Sequence, residues 1–259
     1  MADRAEAKAR ARAERLRVQE EAAAGAARRR RRLRLGGVLG AAVVVLAVAI
    51  AVSSTRGPAT PPKPSNAAAA AVTRLLAGIP QSGNRLGRPS APVTVTEYGD
   101  LECPICRDFA LGAETRLIAN EVRTGAVQLV FRSLQTATPD PATFTTQQVA
   151  ALAAGQQQRE WDYIELFYAE QGDEGSNYVT QAYLAGLARQ IPGLDTTRWR
   201  TSRTSPSLAA AVQADEAQAA TRNFDSTPTI LVAGPKGAAP PVVGDVDYPT
   251  LEQAVRQVS

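Results

Sequence analysis

Val93-Thr94-Val95-Thr96-Glu97-Tyr98, Gly99-Asp100-Leu101-Glu102 and Cys103-Pro104-Ile105-Cys106 follow one another without a break. The first six residues alternate and are rich in β-branched side chains, the pattern of a strand. The next four read as a turn. Pro104 suits the first position of a helix, where its missing N–H would be unpaired anyway. Cys103 therefore falls at a helix N-terminus, where unpaired N–H groups and the helix dipole favour a thiolate. Cys106 lies one turn further in, more shielded and within disulfide reach. Ile105, Phe109, Ala113 and Leu117 recur at four-residue spacing, which predicts a helix from Cys103 to about Arg123, ended by Gly125. Val127–Arg132 reads as a second strand. Strand, helix and strand make a βαβ unit with the cysteines at the C-terminal end of the first strand.

These are the chain's two cysteines, and it has no histidine. A structural zinc site wants four Cys or His ligands, so zinc is a poor reading. Ser/His/Asp and Cys/His catalysis are excluded for lack of histidine. A copper-handling redox protein would want further His or Met ligands, and Met1 is the sole methionine. A purely structural bridge closing so short a loop stabilises by only about 2 kcal/mol. Thiol–disulfide exchange remains, with Cys103 as nucleophile and Cys106 resolving the mixed disulfide.

The stretch from Asp100 to Cys106, with Ala91-Pro92-Val93 before it, resembles the active-site region of the DsbA-like branch of the thioredoxin superfamily. Secreted and membrane-anchored actinobacterial members are especially similar. The resemblance covers most of Val93 to Val258. It implies an α/β fold, a thioredoxin-like domain with a central mixed β-sheet and an inserted helical subdomain. It also implies roles. Glu97, six residues before Cys103, matches the family's buried acid, a proton acceptor for Cys106; a strand residue there could equally be exposed. Thr227-Pro228, before the apolar run Thr229–Val232, matches the family's cis-proline, where the Thr227 backbone pairs with a bound substrate strand. Ile105 departs from the strongest oxidants, which carry His between the cysteines. Asp100, Glu102 and Asp108 are close in sequence and, if close in space, oppose the thiolate. A milder oxidant than the strongest members, near −120 mV, is therefore expected.

The net charge of +4 conceals a division. Residues 1–56 carry +8 and residues 57–259 carry −4. The globular part is mildly acidic, which argues against nucleic-acid binding. Residues 1–34 read as a cytoplasmic basic tail ending in Arg28–Arg32 and Arg34. Residues 35–55 form an uncharged, largely apolar run, long enough for a transmembrane signal-anchor helix. The flanking arginines put its C-terminal side outside the cytoplasm. A cleaved signal peptide is the competing reading, with Ala49-Ile50-Ala51 as cleavage site. Residues 56–71 read as a Pro/Ala-rich linker and 72–259 as the domain.

Val72–Ala77 reads as a short helix and Gly78–Pro92 as turns. Helices are predicted over Phe144–Gln158, Glu160–Gln171, Asn177–Gln190, Asp195–Arg203 and Pro206–Asn223, so the insertion spans about 143–223. Trp161, Tyr163, Leu166, Phe167 and Tyr168 crowd one segment and read as helix-packing core. Thr229–Ala233, Pro241–Val243 and a closing helix Pro249–Val258 complete the chain.

The expected function is an extracytoplasmic thiol–disulfide oxidoreductase acting as an oxidase of exported proteins. It needs no cofactor beyond a redox-active Cys103–Cys106 disulfide and no metal. As in similar proteins, a quinone-linked membrane oxidase of the VKOR or DsbB type would reoxidise it. A reductase or isomerase, or a non-catalytic binding protein or holdase, are the alternatives. No added dimerisation domain is visible, so a monomer is expected.

Overall fold

A computed structural model describes residues 66–259. The expected tail (1–34), membrane span (35–55) and first part of the linker lie outside the described residues. Among the described residues no helix is long and apolar enough to cross a membrane.

The linker was expected to run to residue 71, but helix α1 spans Asn66–Leu76. The alanine run Ala67–Ala71 has the highest helix propensity of any residue type. Val72 and Leu76, one turn apart, are buried in the domain core and fix the helix there. The turn-rich segment that follows contains an unforeseen hairpin of two-residue strands, β1 (Gln81–Ser82) and β2 (Arg85–Leu86). Such strands are too short to show periodicity. Pairing of β2 with β4 and burial of Leu86 hold them.

β3 (Val93–Gly99) is the central strand. It runs parallel to β4 (Val127–Ser133) and antiparallel to β5 (Thr229–Gly234). The sheet order is β1-β2-β4-β3-β5-β6, with β6 at Gly237–Ala238 and β7 (Val242–Val243) also on β5. The sheet is mixed, as expected. Between β3 and β4 the helix begins as α2 (Pro104–Phe109), passes a π-helical turn (Ala110–Glu114), continues as α3 (Thr115–Leu117) and ends in a second π turn (Ile118–Val122). The Thr115 hydroxyl donates to the Ala110 carbonyl at 2.8 Å, five residues back.

Five helices stand between β4 and β5: α4 (Pro141–Gly155), α5 (Glu160–Ala169), α6 (Gln181–Gln190), α7 (Thr196–Ser202) and α8 (Pro206–Thr221). Local chemistry starts them. Asp140, Thr180 and Asp195 accept N–H bonds from the first turns of α4, α6 and α7, and Pro141 and Pro206 occupy first-turn positions. The Asp140 cap explains why α4 starts three residues earlier than its apolar pattern suggests. α9 (Tyr248–Val258), capped by Asp247, closes the chain.

The aromatic group of α5 is core, as read. Trp161, Tyr163, Phe167 and Tyr168 are buried, the Trp161 and Phe131 rings meet edge-on, and Tyr163 stacks on Trp199. Period-two alternation separates the two faces of β3. Val93, Val95 and Glu97 share one face, toward the main core. Tyr98 points to the other, where it meets Phe224 and donates its hydroxyl to Gln218 on α8.

Candidate active site

Cys103 is the N-cap of α2, with extended backbone geometry (φ −73°, ψ 120°), and Pro104 is the first helical residue. The Cys106 N–H donates to Cys103 Sγ at 3.3 Å. Cys103 is 4% exposed and Cys106 fully buried; both are thiols. Ile105 between them is 41% exposed, an apolar side chain at the rim. The Thr227–Pro228 peptide bond is cis, and the Thr227 carbonyl lies 3.5 Å from Cys103 Sγ as an acceptor for the thiol. Residues 103 and 227 are thus adjacent across the end of the sheet.

The Cys103 pKa is lowered to about 6. The Cys106 side chain is the main cause, hydrogen-bonding the thiolate against the opposing cost of burial. The Thr227 side chain and the backbone N–H groups of Cys106 and Ile105 add to it. Cys106 moves the other way, pushed well up by burial, by its bond to Cys103 and by Glu97. The two sulfurs therefore divide into a thiolate and a thiol.

The expected opposition from nearby acids does not govern Cys103. Asp108 is exposed and pairs with Arg107 at 3.1 Å. Burial raises the Glu102 pKa, so its charge is disfavoured. The Asp100 carboxylate is engaged elsewhere, by backbone N–H groups of residues 136–138. Nearness in sequence did not carry over into an electrostatic pairing, because each side chain found another environment.

Glu97 is 1% exposed and sits on the core face of β3. Two acids that the sequence did not single out join it there, Glu114 from the first π turn and Glu165 from α5, both buried. Glu114 stands close enough to Glu97 and Glu165 for the three acids to shift one another's titration. Both oxygens of Glu97 and of Glu114, and Oε1 of Glu165, are buried without a hydrogen-bond partner among the described residues. Carboxylates only accept, so buried acids placed this way can satisfy one another only by holding protons. Burial is the leading cause that raises all three: Glu97 and Glu165 well above the usual carboxylate range, Glu114 to about 8. The signal for them was present but faint. Glu114 interrupts the apolar stripe Ala110, Ala113 and Leu117, and Glu165 stands inside the aromatic run.

Two further contacts hold the site. Gln171, just past α5, donates its amide to the carbonyls of Leu101 (2.7 Å) and Cys103 (3.1 Å), tying the helical block to the turn before α2. Gly99 admits the acid. A Cβ there would lie 2.7 Å from the Phe131 ring, 2.8 Å from Glu97 Oε1 and 3.0 Å from the Tyr168 hydroxyl. Gly99→Ala is expected to lower stability by about 1–3 kcal/mol in urea unfolding. An unchanged unfolding midpoint would show that the crowding relaxes freely.

A family model described as Thioredoxin matches residues 81–246. The probable disulfide bond formation protein D of Bacillus anthracis is 23% identical over 171 residues, 66% of this chain and 75% of that protein. Disulfide bond formation protein D of Bacillus subtilis (strain 168) is 27% identical over 152 residues, 57% of this chain and 66% of that protein. The crystal structure of oxidised BdbD from Bacillus subtilis superposes with a TM-score of 0.59 at 21% identity, covering 78% of this chain and 98% of that one. At that identity the superposition speaks to the fold alone.

Proposed function

Because this chain belongs to the DsbA-like branch of the thioredoxin superfamily, a branch of thiol–disulfide oxidoreductases, we propose that it passes the Cys103–Cys106 disulfide to exported proteins, working as an oxidase. The observation that carries this reading is the division of the pair. Cys103 is a stabilised thiolate at a helix N-terminus, and Cys106 is a buried thiol beside protonated acids.

A substrate thiolate attacks Cys103 Sγ, the Cys103–Cys106 bond breaks, and the electron pair leaves on Cys106. Glu97 gives its proton to that sulfur, which favours the thiol strongly. A second substrate thiolate then attacks the substrate sulfur of the mixed disulfide and releases Cys103 as thiolate. The substrate loses two electrons and the pair gains them. In the reverse step, Glu97 takes the Cys106 proton back. Thr227 offers its backbone to the substrate strand beside Cys103. Ile105 gives that strand an apolar neighbour.

A Cys103 pKa of about 6 leaves the reduced form ionised at neutral pH. Relative to an unperturbed thiol this stabilises the dithiol by about 1.4 kcal/mol at pH 7, roughly 30 mV. Residues 35–55 would anchor the chain in the cell membrane as a single span, with the domain outside the cytoplasm. There a quinone-linked oxidase of the VKOR or DsbB type would reoxidise it.

Equilibration of the full chain with glutathione, read by alkylation of free thiols, tests the direction. A potential between about −120 and −200 mV is expected. One below about −300 mV would make the disulfide too stable to donate and would end the oxidase reading.

A further inference from the structure

Asp100 is fully buried, three residues before the nucleophile. Its Oδ2 accepts the backbone N–H groups of Thr136 (3.0 Å), Ala137 (2.9 Å) and Thr138 (2.8 Å). Its Oδ1 accepts the Glu102 N–H (3.1 Å), the Thr138 hydroxyl (2.5 Å) and the Gln147 amide (3.2 Å). These donors fill the acceptor capacity of a carboxylate. Three consecutive N–H groups on one oxygen fix the backbone of the 136–138 turn.

That turn carries Thr136, whose hydroxyl bonds to the hydroxyl of Thr227. Thr227 in turn borders Cys103, its carbonyl 3.5 Å from Sγ. Either hydroxyl of the pair can donate. When Thr136 donates, the Thr227 proton is free to turn toward the sulfur.

We propose, resting on the thiol–disulfide reading above, that Asp100 and Thr136 are positioning residues of the exchange reaction: Asp100 sets the 136–138 turn, and Thr136 orients Thr227 against the nucleophilic sulfur. The four residues come from the end of β3, the loop after β4, the loop before β5 and the cap of α2. A staple confined to one loop would have no reason to reach Thr227. This one joins the turn after β4 to the place where a substrate strand pairs.

Thr136→Val decides the matter in the full chain. It keeps the side-chain shape and the N–H to Asp100 but removes the hydroxyl. Two quantities are read: the thiolate titration of the reduced protein at 240 nm, and the rate of disulfide transfer to a cysteine-containing peptide. The midpoint is expected to rise by about half to one pH unit and the rate at pH 7 to fall about 3–10-fold. Thr136→Ser should restore both. Asp100→Asn leaves one accepting oxygen and sets an NH2 group against donors on the other side, so it should shift both quantities the same way, together with a lower Tm. A Thr136→Val protein with the wild-type midpoint and rate overturns the proposal, whether or not Asp100→Asn folds. A wild-type protein that transfers no disulfide overturns the redox reading instead. The midpoint difference between wild type and Thr136→Val still decides the positioning role in that case.

Discussion

Cys103→Ser is expected to abolish disulfide transfer, with a loss of at least about 1000-fold, while leaving the fold intact. Serine forms no disulfide, and its hydroxyl is barely ionised at neutral pH, so both attack and transfer are lost. The fold should survive because position 103 is an N-cap whose side chain accepts the Cys106 N–H. Serine is among the best residues there. Oxidative refolding of a reduced multi-disulfide protein measures the loss, and a urea melt controls for structure. The variant also separates the rival functions. A holdase acting through the helical block or the Thr227–Pro228 groove would keep suppressing aggregation in Cys103→Ser. A variant still refolding its substrate at the wild-type rate would remove Cys103 from the chemistry altogether. Cys106→Ser has a different signature, since a mixed disulfide on Cys103 then lacks its resolving thiol and accumulates.

Stability should fall as pH rises from 5 to about 8, opposite to the usual acid sensitivity of a folded protein. Four buried acids are responsible. Burial raises Glu97 and Glu165 well above the ordinary range and Glu114 and Glu160 to about 8. An unfolded chain releases these protons near pH 4.5, so between there and about 8 the folded state binds more protons than the unfolded one. The slope of stability against pH is then negative, about 1.4 kcal/mol per pH unit for each extra proton held. The stabilisation is complete below the unfolded pKa and is lost as pH passes the folded one. Glu97, Glu114 and Glu165 shift one another's titration, so the loss from that cluster belongs to the set.

The experiment is best run on the disulfide form. In the dithiol, the lowered Cys103 pKa adds a stabilisation that grows with pH over part of the same range. The cap acids Asp140 and Asp247 are lowered and act only at more acidic pH. Urea unfolding at half-unit steps from pH 5 to 8 should show a total loss of at least about 4 kcal/mol, the amount one retained proton gives over three pH units. Glu160→Gln should reduce the slope by about one proton, and Glu114→Gln by at least as much. A curve flat or rising over that range would mean that the buried acids are ionised in the folded state.

Much of this architecture is local and therefore legible in the chain. Alternation at Val93–Tyr98, Pro104 after a capping cysteine and four-residue spacing from Ile105 to Leu117 each depend on neighbours within a turn or two. Reading them requires no knowledge of distant contacts. The burial of Trp161, Tyr163 and Phe167 was legible for a related reason, since so much apolar surface on one helix must be covered. Helix α1 was under-read because a run of alanines looks like a linker until something covers Val72 and Leu76.

The polar interior was a different matter. Asp100 looked like an acid opposing the thiolate and proved to be an anchor for residues 136–138. Glu114 and Glu165 meet Glu97 from two other elements, and Thr136 meets Thr227 across 91 residues of chain. The two π turns, the first of which holds the buried Glu114, leave no mark in residue type. By itself, the sequence determined the strand–helix frame, the pair of cysteines at its junction and the sign of the charge on each part of the chain, because short-range sterics and periodicity specify these. Only the tertiary structure decided which buried acids cluster and which threonines meet beside the sulfur. Those pairings depend on directional contacts of a few ångströms between segments far apart in the chain, for which local pattern carries no information.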